Sequence, residues 1–217
     1  MRDRRPDRQL SRKANRKQRN EVWHIFCEGK SEVQYVEAIR SCIPRDLTVG
    51  LTLNIDTHTA QPKKLLEHAH NAKMDKSAKK WWIICDVESP NQHADLIQVE
   101  IRSKKQGIET LFSNPAFEIW LVWHFADCTK FLSTEDAFKM LNKLTGEQTK
   151  YVSGQKYLPR VSHAITRSRQ LDAKHARTET TFPENNPSTG MYKLIQAIDD
   201  HVLLQSAVSR TPLSWIQ

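Results

Sequence analysis

The chain has 217 residues and a formal net charge of +8. This length predicts one domain with a core of its own, with or without an added segment. No apolar stretch reaches the roughly 18 residues of a membrane-spanning helix, and the basic N-terminus lacks the apolar region of a secretory signal. We therefore expect a soluble cytoplasmic protein without a membrane partner.

The four cysteines show neither C-x-x-C spacing nor a nearby histidine cluster of the zinc-finger kind. They are Cys27, Cys42, Cys85 and Cys128. Cys27 and Cys85 lie within apolar runs, which is typical of reduced thiols in a core. A zinc or redox role is therefore disfavoured.

Positive charge is concentrated at the N-terminus. Residues 1–20 contain nine Lys and Arg against two Asp, which gives this segment +7 of the total +8. Its polar composition predicts a disordered tail. A tail of this kind suits contact with nucleic-acid phosphates, and it is equally consistent with a solvated leader that keeps the protein soluble. The candidate nucleic-acid-binding residues are Arg12, Lys13, Arg16, Lys17 and Arg19.

The first half of the chain alternates strand and helix signals. The apolar residues 21–27 predict a strand, and Gly29 and Ser31 then predict a turn and the N-cap of a helix that ends before Pro44. Residues 47–55 predict a second strand, and Pro62 opens a helix to about Met74.

The same alternation continues to residue 112. Residues 81–85 predict a third strand, and 93–105 predict a helix with Leu96, Ile97 and Ile101 facing inward. Residues 108–112 predict a fourth strand. This order and spacing favour a parallel sheet with crossover helices.

After the fourth strand the sequence predicts helices. Asn114 is expected to cap a helix with Pro115 in its first turn, and residues 117–125 are apolar almost all round, as in a buried helix. Further helices are predicted near 133–144, 160–177 and 189–204. We therefore divide the chain into a basic tail (1–20), an α/β core (21–127) and a helical extension packed on it (128–217).

Carboxylates follow two of the predicted strands. Glu28 comes directly after the first strand, and Asp86 and Glu88 follow the third. The carboxyl ends of parallel strands meet at one edge of a sheet. Three acids at that edge repel one another unless a cation lies among them, which suggests Mg²⁺ or Mn²⁺ bound by oxygen. Ordinary polar strand ends at the rim of a sheet would give the same pattern.

Three further residues are candidates for the same site. Glu118 lies in the first turn of the buried helix, so it needs a metal, an arginine or local N–H groups as partner, and a purely structural role stays open. Lys30 and Ser31 follow the Gly29 turn at a helix N-terminus, which is a natural position for a phosphate. Lys30 could equally be a solvated turn residue.

Three segments of this sequence resemble the RloB-like proteins, a bacterial family with a Toprim-like catalytic core. The first is Cys27-Glu28-Gly29-Lys30-Ser31-Glu32 followed by Tyr35, and the second is Asn114-Pro115-Ala116-Phe117-Glu118-Ile119-Trp120-Leu121-Val122-Trp123-His124-Phe125. The third is Asn186-Pro187-Ser188-Thr189 ahead of the last helix. The middle segment is the most specific, and the three together span most of the chain.

The resemblance implies a Mg²⁺-dependent phosphodiesterase. Toprim-like cores place one glutamate after the first strand and a D-x-D pair after a later one, which correspond here to Glu28 and to Asp86 with Glu88. The second acid of the pair is Glu in this chain, which puts two-metal chemistry in doubt. RloB-like genes are associated with bacterial defence loci and often lie beside ATPase genes.

The carboxylate pattern and the resemblance together predict a nuclease, and the resemblance alone implies a role in anti-phage defence. We expect a monomer or a homo-oligomer. The alternative is a catalytically weak or inactive subunit that binds nucleic acid or a protein partner in a defence complex with an ATPase.

Overall fold

The computed structural model describes residues 21–44, 51–58, 60–146, 152–206 and 210–216. Within them, one five-stranded sheet has the order β2-β1-β3-β4-β5. The strands are β1 (Glu21–Cys27), β2 (Leu51–Thr57), β3 (Lys80–Asp86), β4 (Glu109–Asn114) and β5 (Ser188–Thr189). The first four strands are parallel, and β5 pairs antiparallel to β4. The predicted α/β class with a central, mainly parallel sheet is confirmed.

Helices connect the strands and form most of the second half of the chain. They are α1 (Lys30–Cys42), α2 (Pro62–Asp75), α3 (Leu96–Gln106), α4 (Glu118–Val122), α5 (Thr134–Thr145), α6 (Val161–Arg177) and α7 (Met191–Gln205). Two short 3₁₀ turns, Gly154–Lys156 and Leu158–Arg160, precede α6. None of the described helices is long and apolar enough to cross a membrane.

The sheet is covered on both faces, which explains its continuous apolar strands. Trp23, Ile25 and Cys27 of β1 belong to a large core cluster with residues of α1, α4, α6 and α7. Phe26, between them in sequence, belongs to a second cluster with residues of α2 and α3. Neighbouring residues of a strand thus face opposite layers of helices.

The mainly helical C-terminal part is confirmed, and it shares the core of the sheet. Leu194, Ile195 and Ile198 of α7 lie in the same cluster as Trp23 of β1. The motif that begins at Asn186 forms β5, so this part also adds a strand to the sheet. No pattern in the sequence predicts this two-residue strand.

The orientation predicted for α3 is wrong in part. Ile97 is 51% exposed and Ile101 is 41% exposed, whereas Leu96, Val99 and Ser103 are buried. Both groups repeat every three to four residues, so the apolar pattern alone fits either face. The buried face is the one that packs on the second cluster through Val99.

Two predicted helix starts are also wrong. Gly29, and not Ser31, is the N-cap of α1. Asn114 is the last residue of β4, and α4 begins only at Glu118, after Phe117 as N-cap. Asn114 pairs with Ser188 in the sheet and donates its side-chain N–H to the Pro183 carbonyl at 2.7 Å. These bonds keep Asn114 in the sheet. The tail residues 1–20 and the beginning of the predicted second strand, 47–50, lie outside the described residues.

Candidate functional site

Adjacent strands bring Glu28 and Asp86 together at the carboxyl edge of the sheet. Asp86 ends β3, and Glu28 follows the last residue of the neighbouring β1. The Glu28 amide donates to the Ile84 carbonyl at 3.1 Å, so the pairing continues one residue beyond β1. The Asp86 amide donates to Glu28 Oε2 at 3.0 Å. The Glu28 carboxylate is therefore in direct contact with the Asp86 backbone across the strand pair.

Glu88 lines the same cleft from a turn that follows β3. Its φ of 69° lies in the left-handed region, so the simple alternation of an extended strand does not continue to this residue. Its amide donates to the Pro115 carbonyl at 2.8 Å, which fixes the turn against the segment before α4. The Thr134 hydroxyl, at the start of α5, donates to Glu88 Oε2 at 2.7 Å. A hydroxyl thus holds the Glu88 carboxylate in place.

A fourth carboxylate in the cleft, Glu32, was not predicted as a site residue. Its side chain is only 4% exposed, and the backbone amides of Gly29 and Glu32 donate to its carboxylate. A Cβ on Gly29 would lie 2.6 Å from Glu32 Oε2, so glycine leaves the space into which this carboxylate folds. Glu32 is three residues after the N-cap, the position of the glutamate in a capping box. The sequence predicts the N-cap at Ser31, so this spacing becomes visible only with the N-cap at Gly29.

Glu118 is the fifth carboxylate that lines the cleft. It is the first residue of α4, directly after the buried Ala116 and Phe117. All five carboxylates line one cleft of about 550 Å³, together with Thr134 and the turn at the start of α1. Glu28, Asp86, Glu88 and Glu118, all predicted from the sequence, are thus gathered in one place.

Four of the acids in the cleft have raised pKa values. Burial, followed by repulsion from Glu32, Glu118 and the other two acids, raises the pKa of Asp86 well above its usual range. Burial also raises the pKa of Glu28 and of Glu118. Burial, together with repulsion from Glu118 and Glu28, raises the pKa of Glu32 to about 7. A cation among these carboxylates would relieve the repulsion.

Asp86 carries the clearest sign of a missing partner. Its Oδ1 is buried and has no hydrogen-bond partner among the described residues. A buried carboxylate oxygen without a partner is costly. The donor set consists of carboxylates and the hydroxyls of Ser31 and Thr134, which suits a hard divalent cation in type and charge.

The present side-chain positions do not form a complete metal site. Within the described part of the chain, no group of three or more His, Cys, Asp or Glu side chains is arranged so that it could hold a metal ion. Glu88 and Thr134 are bonded to each other, and Glu32 is bonded to the start of α1. The cleft therefore supplies suitable oxygen donors, but not their final arrangement around an ion.

Polar and cationic groups lie at the rim of the cleft. Lys30 and Ser31 are the first two residues of α1 and line the cleft, with Lys30 exposed. His93 Nε2 lies 3.6 Å from Glu28 Oε1. The predicted nucleic-acid-binding residues of the tail, Arg12 to Arg19, lie outside the described residues.

The fold and the cleft define an α/β protein with an acidic site at the carboxyl edge of its parallel strands. Comparison with known families matches residues 23–198 to the family described as RloB-like protein. The match covers most of the chain, which therefore belongs to the RloB-like family. No curated protein and no solved structure gives a significant match.

Proposed function

We propose that this RloB-like protein is a Mg²⁺-dependent phosphodiesterase that cleaves nucleic acid. The observation that carries the proposal is the convergence of five carboxylates in one cleft, where Asp86 Oδ1 has no hydrogen-bond partner among the described residues. A Toprim-like core is part of the proposal. It is supported by the positions of Glu28 and of Asp86 with Glu88 after neighbouring parallel strands.

Each group in the cleft has a place in the proposed reaction. Glu28, Asp86 and Glu88 would hold Mg²⁺ or Mn²⁺, which when bound polarises a phosphate oxygen and lowers the pKa of a coordinated water. Lys30 and the N-terminus of α1 offer N–H groups to the oxygens of the scissile phosphate. Glu118, whose pKa is raised by burial, is suited to accept a proton from the attacking water.

The biological role that we propose is defence against phage. It rests on the association of RloB-like genes with bacterial defence loci and does not follow from the geometry of the cleft. A partner ATPase and self-association belong to the same proposal. The tail residues would add affinity for phosphates without sequence preference.

One observation favours a second candidate function. Because Glu88 is bonded to Thr134 and no group of three ligands is in place among the described residues, the chain could bind nucleic acid or a partner without cleaving it. A metal titration separates the two candidates, since the enzyme needs Mg²⁺ or Mn²⁺ and the binding subunit works equally well in chelator.

The central test is a cleavage assay with DNA, RNA and tRNA panels, with and without Mg²⁺. We expect cleavage that requires the metal and falls by about 10²- to 10⁴-fold in Glu28→Gln and Asp86→Asn. Glu67→Gln, an exposed glutamate of α2 outside the cleft, is the matched control and keeps full activity. Cleavage that survives both cleft substitutions would remove the proposed site.

A further inference from the structure

Next to the acidic cleft, the protein exposes an aromatic side chain on a well-anchored loop. Phe131 is 70% exposed, and among the described residues it is the only aromatic side chain that is mostly exposed. A single exposed apolar residue is ordinary on a protein surface. The neighbours of Phe131 and the position of its loop beside the cleft indicate a binding role for this side chain.

Hydrogen bonds hold the loop on both sides of Phe131. The Leu132 amide donates to Asn186 Oδ1 at 3.0 Å, and Asn186 Nδ2 donates back to the Leu132 carbonyl at 2.8 Å. On the other side, Lys174 Nζ donates to the Thr129 carbonyl at 3.3 Å. Asn186, the first residue of the third segment that resembles the RloB-like proteins, thus holds the loop in place. Its backbone is anchored while its phenyl ring faces solvent.

The ring borders a hollow of about 300 Å³, formed with Pro90, Gln92, Pro183 and neighbouring residues. This volume is at the lower end of the range of about 300–1,000 Å³ for small-molecule sites. Gln92 and Glu184 are exposed at its rim and offer hydrogen-bonding groups. The hollow therefore combines an aromatic face with polar groups, which suits a flat, polar-edged ligand.

The hollow and the acidic cleft share a border. Ser89 lines the hollow and follows Glu88, which lines the cleft. The Ser89 amide donates to the Thr134 hydroxyl and the Thr134 amide donates to the Ser89 carbonyl, both at 3.0 Å. Pro90 is two residues from Glu88, a backbone span of at most about 7 Å. A ligand in the hollow would therefore lie beside a phosphate in the cleft.

We propose that Phe131 is a stacking platform for an unpaired nucleobase next to the scissile phosphate. The inference rests on the proposed function and specifies its substrate as a single-stranded segment. Bases of single strands stack on aromatic side chains, whereas a base inside a duplex is already stacked and paired. Gln92 and Glu184 are placed to meet the edge of the base, since amides and carboxylates pair with base amino groups. The exposed Lys130 lies beside Phe131 in sequence and suits the neighbouring phosphate.

Binding of a fluorescently labelled single strand tests the inference directly. The full chain would carry Glu28→Gln with Mg²⁺ present, so that the strand stays intact. We expect Phe131→Ala to weaken binding of the single strand by about 5- to 150-fold, the loss reported for one stacked base, while Phe131→Trp keeps the affinity. Quenching of 2-aminopurine in the strand should disappear in Phe131→Ala and persist in Phe131→Trp. Leu204→Ala, which removes another exposed apolar side chain, is the control and leaves binding unchanged.

The other outcomes separate this inference from the proposed function. A Phe131→Ala protein that binds the strand as tightly as its parent overturns the inference and leaves the nuclease proposal standing. Equal weakening of duplex binding overturns the preference for an unpaired base. A change in self-association without a change in strand affinity makes Phe131 a protein interface and also overturns the inference. If the parent protein binds no nucleic acid of any kind, the proposed function itself fails.

Discussion

Burial and the neighbouring acids Glu118 and Glu28 raise the pKa of Glu32 from its ordinary 4.5 to about 7. A carboxyl group with a raised pKa in the folded state favours folding in its protonated form. Its contribution to stability is therefore complete below about pH 4.5 and is lost as the pH rises to about 7. Without a cation, the ionised Glu32 carboxylate destabilises the folded protein at neutral pH.

Neutralising Glu32 should stabilise the metal-free protein. In chelator at about pH 8, we expect Glu32→Gln to increase the free energy of unfolding by about 1–3 kcal/mol, and the gain should shrink towards about pH 4. Urea denaturation at both pH values measures this. Glu67→Gln, on the exposed side of α2, should change little. A Glu32→Gln protein that is less stable at both pH values would show that the capping bonds outweigh the repulsion.

Thr134 should act as a positioning residue for Glu88, because its hydroxyl donates to Glu88 Oε2 at 2.7 Å. We expect Thr134→Val to raise the Mg²⁺ concentration for half-maximal cleavage by about 10- to 100-fold, the range found for residues that orient metal ligands. Thr134→Ser, which keeps the hydroxyl, should restore the original metal dependence. Equal metal dependence in all three proteins would contradict this role.

Helix α1 and the turn that follows α4 meet through a buried polar pair. Tyr35 donates its hydroxyl to His124 Nε2 at 2.9 Å, and His124 Nδ1 donates to the Trp120 carbonyl at 2.8 Å. Burial lowers the pKa of His124 to about 3, so the ring is neutral at physiological pH. Tyr35 and His124 belong to the first two segments of the resemblance, and the contact between these segments holds Glu32 and Glu118 on opposite sides of one cleft.

Removing the Tyr35 hydroxyl should weaken this contact. Tyr35→Phe leaves a buried ring nitrogen without a donor, so we expect the free energy of unfolding to fall by about 1–3 kcal/mol. Tyr192→Phe is the matched control, because the partner of that hydroxyl, Asp172, lies in α6 where water can reach it, and its loss should be smaller. Thermal or urea unfolding of the two variants measures the difference, and equal losses would contradict the role of the pair.

Strong apolar strands made much of the sheet predictable, and the failures have physical causes. The strands predicted at 21–27 and 81–85 agree with β1 and β3, because strands buried on both faces consist of continuous apolar runs. The inward face of α3 was ambiguous because Ile97 and Ile101 repeat as regularly as the buried positions do. The Asn114-Pro115 pattern predicts a helix start, whereas the partners that keep Asn114 in the sheet, Ser188 and Pro183, lie about 70 positions away. No local pattern contains such partners.

The acids of the cleft also differ in how well the sequence predicts them. Glu28, Asp86 and Glu88 follow strands, and strand ends are readable in the sequence. Glu32 was hidden because a glutamate in the first turn of a helix is common, and only the fold shows it among other acids. Thr134 and Phe131 depend on how a loop of the C-terminal part meets the turn after β3, which the sequence does not reveal.

For the molecule as a whole, two buried groups respond to pH in opposite directions. His124 contributes stability above its ordinary pKa of 6.5, and this contribution is lost as the pH falls, whereas that of Glu32 is lost as the pH rises to about 7. The metal-free protein therefore loses stability both as the pH falls, through His124, and as the pH rises, through Glu32. A divalent cation would reduce only the loss of stability at high pH, since it acts on the carboxylates.

Added Mg²⁺ should stabilise the folded protein in a pH-dependent manner. At about pH 8 and a Mg²⁺ concentration about 100-fold above its dissociation constant, we expect Tm to rise by about 5–10 °C. At about pH 5 the rise should be smaller, because protons compete for the carboxylates. Differential scanning fluorimetry measures both values, with Asp86→Asn as the variant that loses the effect. An equal rise in that variant would place the ion elsewhere.

The pairing of β5 with β4 has a consequence for how this chain can be divided. Ser188 and Thr189 complete the sheet next to Ser113 and Asn114, and α7 packs in the core of the first strands. A fragment that stops after residue 127 would leave an uncovered sheet edge and an apolar face, both of which promote aggregation. The acids of the cleft and the helices that cover the sheet must then be expressed together, and fusion partners belong outside this span.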